Sequence, residues 1–246
     1  MTTPVIPSQN PADDDTVEGA LRTIFRKELE NTHGQLPAIV MNYDRTRNKA
    51  TVRPLVQLLK TNGETMSRAS IVSVPVLALS GAGFVLNFPL KTGDLGWIEA
   101  SDRDISLFVQ SLKEAHPNAL RIHSFSDGRF IPDAFNQYTI NSEDASAAVF
   151  QSLDGTVRIA LDTDQVRVTA PRVQIIAQQD VAITAGTTLT MTAPAIAMHQ
   201  TGGGPGATFT GSPVVMPDAI IGGVQQSTHK HGGVQTGGGQ TGGPTN

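Results

Sequence analysis

The last hundred residues of the chain repeat. Short alternating runs recur at Val157–Leu161, Val166–Val168, Val173–Ile175, Val181–Ile183, Leu189–Met191 and Ile196–Met198, with starts seven to nine residues apart. A longer echo lies over this one, since Thr169–Val173 (TAPRV) returns as Thr192–Ile196 (TAPAI) 23 residues later, about three strand units. Fixed-period repetition of single strands predicts a β-solenoid or an intertwined β-helix. Alternate side chains of a strand share one face, so each unit offers only two or three aliphatic groups to a core. A ribbon of such short strands cannot enclose a core by itself. Three identical chains wound about one axis would close a triangular prism, bury the alternate Val, Ile, Leu and Met residues and pair every strand edge. The same conclusion follows from charge, because no Asp, Glu, Lys or Arg occurs between Asp180 and Asp218. Uncharged Thr/Val/Ile strands with open edges aggregate, so their edges are expected to be covered. The competing reading is an ordinary β-sandwich with a weakly periodic sequence.

The first half reads differently. Residues 1 to about 14 are Pro- and Asp-rich and read as an arm, after which Asp15 or Thr16 can cap a helix carrying Val17, Leu21, Ile24, Phe25 and Leu29 on one side. From Leu36 to Tyr138 the pattern predicts short strands at Ala38–Asn42, Ala50–Leu58, Ile71–Leu79, Phe84–Phe88, Leu95–Ala100 and Ser106–Gln110. Five or six such strands suggest a small barrel; an OB-fold fits the spacing, as do other small barrels. Ala69 to Leu90 carries no charge and is long enough to span a bilayer. Pro75, Pro89 and the Gly81-Ala82-Gly83 break divide it into short runs that read as buried strands instead.

A balance of 18 Lys+Arg against 22 Asp+Glu gives no basic footprint for nucleic acid or an anionic membrane surface. The absence of cysteine leaves any metal to His, Asp or Glu. The amino terminus lacks the basic and apolar regions of a secretory signal, so the product is expected to be made and kept in the cytosol until assembly. The strongest local motif is His229-Lys230-His231, set in a Gly-rich tail. In an extended strand, residues i and i+2 point to one side, so both imidazoles can approach one ion while Lys230 faces away. One chain supplies two nitrogens and a trimer six, an octahedral set suited to Fe(II), Ni(II) or Co(II) more than to zinc. Octahedral saturation leaves no open position for substrate, so such an ion would be a structural staple. His199 reads as a turn residue, and His33, His116 and His123 have no matching partner nearby in the sequence. Asp102 and Asp104 offer two carboxylates, but Arg103 between them and Ile105 after them suggest a salt-bridged loop preceding a strand. No Gly-x-Ser-x-Gly elbow is present, and Gly202–Gly206 lacks the Lys-Ser/Thr pair of a phosphate loop.

The order of these features resembles the central spike proteins of contractile-tailed bacteriophages, relatives of the tips of R-type pyocins and type VI secretion systems. Gly93–Ile98 (GDLGWI) followed by Ser101–Ile105 (SDRDI), then Ser126–Gly128 and Phe130–Pro132, is similar to the OB-domain signature of these spikes, and His229–Gly233 to their apex. The resemblance implies an all-β chain with an arm and short helix at 1–35, an OB-fold base at 36–140, an intertwined trimeric triple-stranded β-helix at 141–201 and a metal-binding apex at 202–246. It gives His229 and His231 the ligand role, for one iron per trimer held by six histidine nitrogens on the threefold axis. It further implies a homotrimer at the tip of the virion tail, joined to the tail hub and baseplate, that pierces the host outer membrane mechanically. Neither catalysis, a small-molecule substrate nor nucleic acid enters this reading. Some family members carry a lysozyme domain between base and shaft; here only about ten residues separate the barrel from the first repeat. The alternatives are a tail-associated trimeric adhesin and an envelope hydrolase. An adhesin needs exposed aromatics near its end, and only Phe209 lies beyond Phe150.

Overall fold

A computed structural model describes residues 16–60, 63–199, 202, 208–210, 214–216, 218–221 and 223–228. The chain divides into two compact units, Met1–Ile175 and Ile176–Asn246.

The first unit opens with helix α1 (Val17–Asn31), capped as expected by Thr16, whose hydroxyl accepts the Gly19 N–H at 3.0 Å. Strands β1 (Gln35–Asp44), β2 (Lys49–Pro54), β3 (Leu58–Leu59), β4 (Thr65–Met66), β5 (Ile71–Pro75), β6 (Leu79–Gly81), β7 (Phe84–Leu86) and β8 (Leu95–Arg103) follow. Helix α2 (Ser106–Ser111) and strand β9 (Ile122–Pro132) complete this part. Five of these strands form one sheet in the order β5-β2-β1-β8-β9, every neighbouring pair antiparallel. The sheet curls until its two edges meet. Val76, just past β5, forms a parallel bridge with Phe130 on β9, and the Leu77 N–H donates to the Phe130 carbonyl at 2.8 Å. Asn48 secures that junction from the β1–β2 turn. Its positive φ of 52° is a conformation asparagine tolerates. From there its amide donates to the Val76 carbonyl at 2.7 Å and its side-chain oxygen accepts from Tyr43 and Asn87.

Alternation along β1 and β2 places Ala38, Val40, Ala50 and Val52 inside, where they meet Val74, Val76, Ile98, Phe125 and Phe130. The barrel is therefore a closed, apolar-centred sheet, as the sequence pattern leads one to expect. Ala69 to Leu90 contributes β5, β6 and β7, of which β6 and β7 are exposed hairpin strands and not buried as expected, and among the described residues no helix is long and apolar enough to cross a membrane.

Two local expectations are corrected. Ser106–Gln110 is a helix and not a strand, because the Asp104 carboxylate accepts the Ser106 N–H at 2.8 Å and starts a helical turn. The strand that fills the place is β9, whose Asp127 and Gly128 interrupt the apolar alternation that would have announced it.

Beyond the barrel a single turn of 3-10 helix, Ser142–Asp144, leads into β10 (Ala148–Gln151), β11 (Arg158–Leu161) and β12 (Val166–Thr169), an antiparallel three-stranded sheet. These include the first two of the six repeat strands read from the sequence. The other four, at Val173–Ile175, Val181–Ile183, Leu189–Met191 and Ile196–Met198, have no strand partner among the described residues, and their aliphatic side chains are exposed. In the second unit, β13 (Ile220–Ile221) and β14 (Val224–Gln225) form a short antiparallel hairpin.

Candidate functional site

Besides the Asn48 junction and the Ser152–Thr156 turn, polar groups are held in defined geometry at the β8–β9 corner of the barrel, the turn before β10, and the β13–β14 hairpin. At the barrel corner, two glycines let strands approach too closely for any side chain. A Cβ on Gly96 would lie 2.3 Å from the Ile131 carbonyl oxygen and 2.5 Å from the Phe130 ring, and one on Gly128 would lie 2.5 Å from the Glu99 carbonyl oxygen. The only tryptophan of the chain, Trp97, sits between them on β8, donating its indole N–H to Asp133 at 2.8 Å and packing against Phe135.

The carboxylates of this corner serve the fold. Asp104 and Asp127 are both buried, and Arg121 spans them, bidentate on Asp127 at 2.8 and 3.0 Å and 3.1 Å from Asp104 Oδ2. Ser106, through its side chain and then its backbone N–H, holds the Asp104 carboxyl below the usual carboxylate range, with Arg121 adding to the effect. Asp127 in turn raises the pKa of Arg121. Asp102 is exposed and faces His123 at 3.4 Å, so it does not share a pocket with Asp104. The pair is salt-bridged, as its sequence suggests, but the main cation is Arg121, 17 positions beyond Asp104, and the loop precedes a helix. No acid/base dyad is built from these two residues.

Before β10, Asp144 is completely buried and binds Arg158 Nε at 2.6 Å and Arg167 at 2.5 Å, while Arg158 also pairs with Glu143. These two arginines and Ala160 lie on the inner face of the three-stranded sheet. The opposite face carries two apolar rungs in register: Phe150, Ile159 and Val168, then Ala148, Leu161 and Val166. Its large side chains are between 42% and 65% exposed.

At the hairpin, Asp218 accepts from the Ala219 N–H at 2.8 Å, the Ser227 N–H at 3.0 Å and Gln225 Nε2 at 2.5 Å. Gln225, and next Ser227, hold its carboxyl below the ordinary range. His229 and His231, the metal ligands read from the sequence, lie outside the described residues. Of the other histidines, His33 packs on Phe125 at 4.4 Å, His116 lies 3.0 Å from the Pro117 carbonyl and His199 is exposed. Among the described residues, no three His, Asp or Glu side chains are grouped so as to hold a metal ion. Sequence reading missed Arg121 with Asp127 and Asp144 with its arginines, whose members are separated along the chain. It also missed the hairpin, although Gly222-Gly223 between Ile220-Ile221 and Val224 is a readable turn signal.

The barrel and the tail each have known relatives. Residues 36–133 match the phage protein Gp138 N-terminal domain, and residues 227–245 match the GpV Apex motif. Both are features of phage baseplate spikes, one at each end of the chain. Together they support a phage central spike protein with a structural role in the baseplate, at the tip of the virion tail. No curated protein matches the chain.

Proposed function

We propose that this chain is a non-enzymatic, homotrimeric cell-puncturing spike, with an OB-type base at 36–140, an intertwined β-helical shaft at 141–201 and a metal-pinned apex at 202–246. The strand order of the barrel, with its parallel β5–β9 closure, supports the OB reading. The observation that carries the trimer is the apolar side the single chain leaves open. The rungs on β10–β12 are exposed, and the aliphatic alternation continues through Val173, Val181, Leu189 and Ile196 without a strand partner among the described residues. A run of exposed aliphatics this long, charge-free from Val181 onward, is a liability unless identical chains cover it. Sheath contraction would drive the tube and its spike into the host outer membrane, and interchain β-pairing would give the shaft its stiffness. The hub and baseplate would receive the base.

Sedimentation equilibrium tests the assembly: a trimer at about 78 kDa is expected, three times the 26.0 kDa of one chain. Ile159→Lys combined with Val168→Lys should shift it to monomers, since both side chains are exposed in the single chain and neither is needed for its own core. A double variant that stays trimeric removes this face from the interface.

The match of the tail to the GpV Apex motif supports a metal at the tip. The donor set fits one: two neutral imidazoles per chain at i and i+2 give three chains the six nitrogens of an octahedral iron site. Bound there, the ion would supply no reactivity and would hold three chain ends together against fraying. Elemental analysis should find about one iron per three chains, and His229→Ala with His231→Ala should abolish it while the trimer persists. A metal-free wild-type trimer would refute the assignment.

A further inference from the structure

We infer that Asp218 is a positioning residue for the histidine tail: its carboxylate closes the base of the β13–β14 hairpin and fixes the chain at Ser227, two residues before His229. The inference rests on the metal reading above and concerns how the ligands are presented.

Asp218 is the only Asp, Glu, Lys or Arg between Asp180 and Lys230. A single charge in so long an uncharged stretch does little for solubility, and its oxygens are directed at the hairpin itself. Oδ1 accepts the Ala219 and Ser227 N–H groups, and Oδ2 accepts the Gln225 side chain. The hairpin needs this help. It has only two residue pairs, Ile220 with Gln225 and Ile221 with Val224, and an isolated two-stranded hairpin is marginal in water. One further backbone bond, Gln226 N–H to the Ala219 carbonyl at 2.7 Å, extends the ladder, and the carboxylate clasp ends it. The chain therefore leaves the clasp at a defined point and enters His229-Lys230-His231 immediately afterwards. A tail held at that point loses less conformational freedom when its imidazoles close on an ion than a tail free from Gly223 onward. Asp218 would touch neither metal nor imidazole and would act through Ser227.

Asp218→Asn is the diagnostic change. Asparagine keeps the shape but removes the charge, so its bonds to the Ala219 and Ser227 N–H groups weaken, and the contact with Gln225 survives only if the glutamine amide turns to present its oxygen. Full-length protein stripped of metal would be titrated with Co(II), followed by its visible absorption, alongside Gln225→Ala and His229→Ala. Trimer mass and Trp97 fluorescence report assembly and the barrel separately. We expect Asp218→Asn to weaken Co(II) binding on the order of 10-fold, as loss of a supporting partner does at other metal sites, and Gln225→Ala to weaken it less. Asp218→Asn binding as tightly as wild type overturns the inference and leaves the metal reading standing. Wild type binding no better than His229→Ala overturns both. Should Asp218→Asn fail to assemble, Gln225→Ala decides, since it keeps the carboxylate and removes only the side-chain bonds to Asp218 and Ser227: weakened binding supports the clasp and unchanged binding refutes it.

Discussion

Phe130→Ala should destabilise the barrel by about 3–5 kcal/mol, the cost of deleting a buried aromatic ring that its surroundings cannot collapse to replace. Phe130 is fully buried on β9, and the absence of a side chain at Gly96 on the neighbouring strand leaves the space its ring fills. The backbone of the same residue also carries the parallel closure, bridging Val76 and accepting the Leu77 N–H. Alanine keeps those backbone bonds and removes the ring, so the variant separates core packing from closure. Trp97 reports the result, being the only tryptophan and lying on β8 opposite Ile131. Urea unfolding followed by its fluorescence, at one fixed protein concentration because assembly contributes to stability, should show the loss as a lower midpoint. Phe130→Leu keeps most of the volume and should cost far less. Should Phe130→Ala unfold within about 1 kcal/mol of wild type, the barrel interior is not the source of this unit's stability.

The contrast between Phe130 and its neighbours explains how much of the fold was legible. Strands β1, β2 and β8 announce themselves because their inward positions are apolar at a period of two. Strand β9 carries a charge at an inward position, Asp127, and a neutralising arginine six residues before it. A buried ion pair made within a loop and a strand has no periodic signature, so the strand was readable only as a family-like segment. Helix α2 escapes sequence reading for a related reason: Leu107-Phe108-Val109 has strand-like composition, and a single carboxylate before it decides for a helix. The repeats were legible as repeats, but pairing is a property of edges. Periodicity can predict a strand without naming its partner, and Val173 to Met198 pairs with no strand among the described residues. Of the candidate site, the histidines stood out by chemistry and spacing. The clasp did not, because an aspartate bonded to backbone N–H groups looks in sequence like any surface charge.

Asp144→Ala should cost about 3 kcal/mol, and the loss should be confined to the segment that follows the barrel, because it strips the shared partner from two guanidinium groups. The carboxylate is inaccessible to solvent, and its two oxygens are divided between Arg158 on β11 and Arg167 on β12. Asp144 itself sits in the turn before β10, so one side chain ties the entry of the sheet to both later strands. Without it, Arg158 retains Glu143 and the Gly155 carbonyl, whereas Arg167 retains only the Glu143 carbonyl. Native-state hydrogen exchange of the Ile159–Leu161 amides should accelerate about 100-fold, the equivalent of that energy, while Trp97-monitored unfolding of the barrel stays where it was. Converting all three residues together, Asp144→Leu with Arg158→Met and Arg167→Met, should recover most of the loss, since a buried ion network is costly chiefly when half of it is removed. Unchanged exchange in Asp144→Ala would mean that the arginines find water or Glu143 at no cost. Recovery in the triple variant would mean that the network sets which strands meet at the start of the repeats, and that the strength of the junction comes from packing. A carboxylate bonded to two strands at once restrains the turn from both sides, so the junction between barrel and repeats resists hinging.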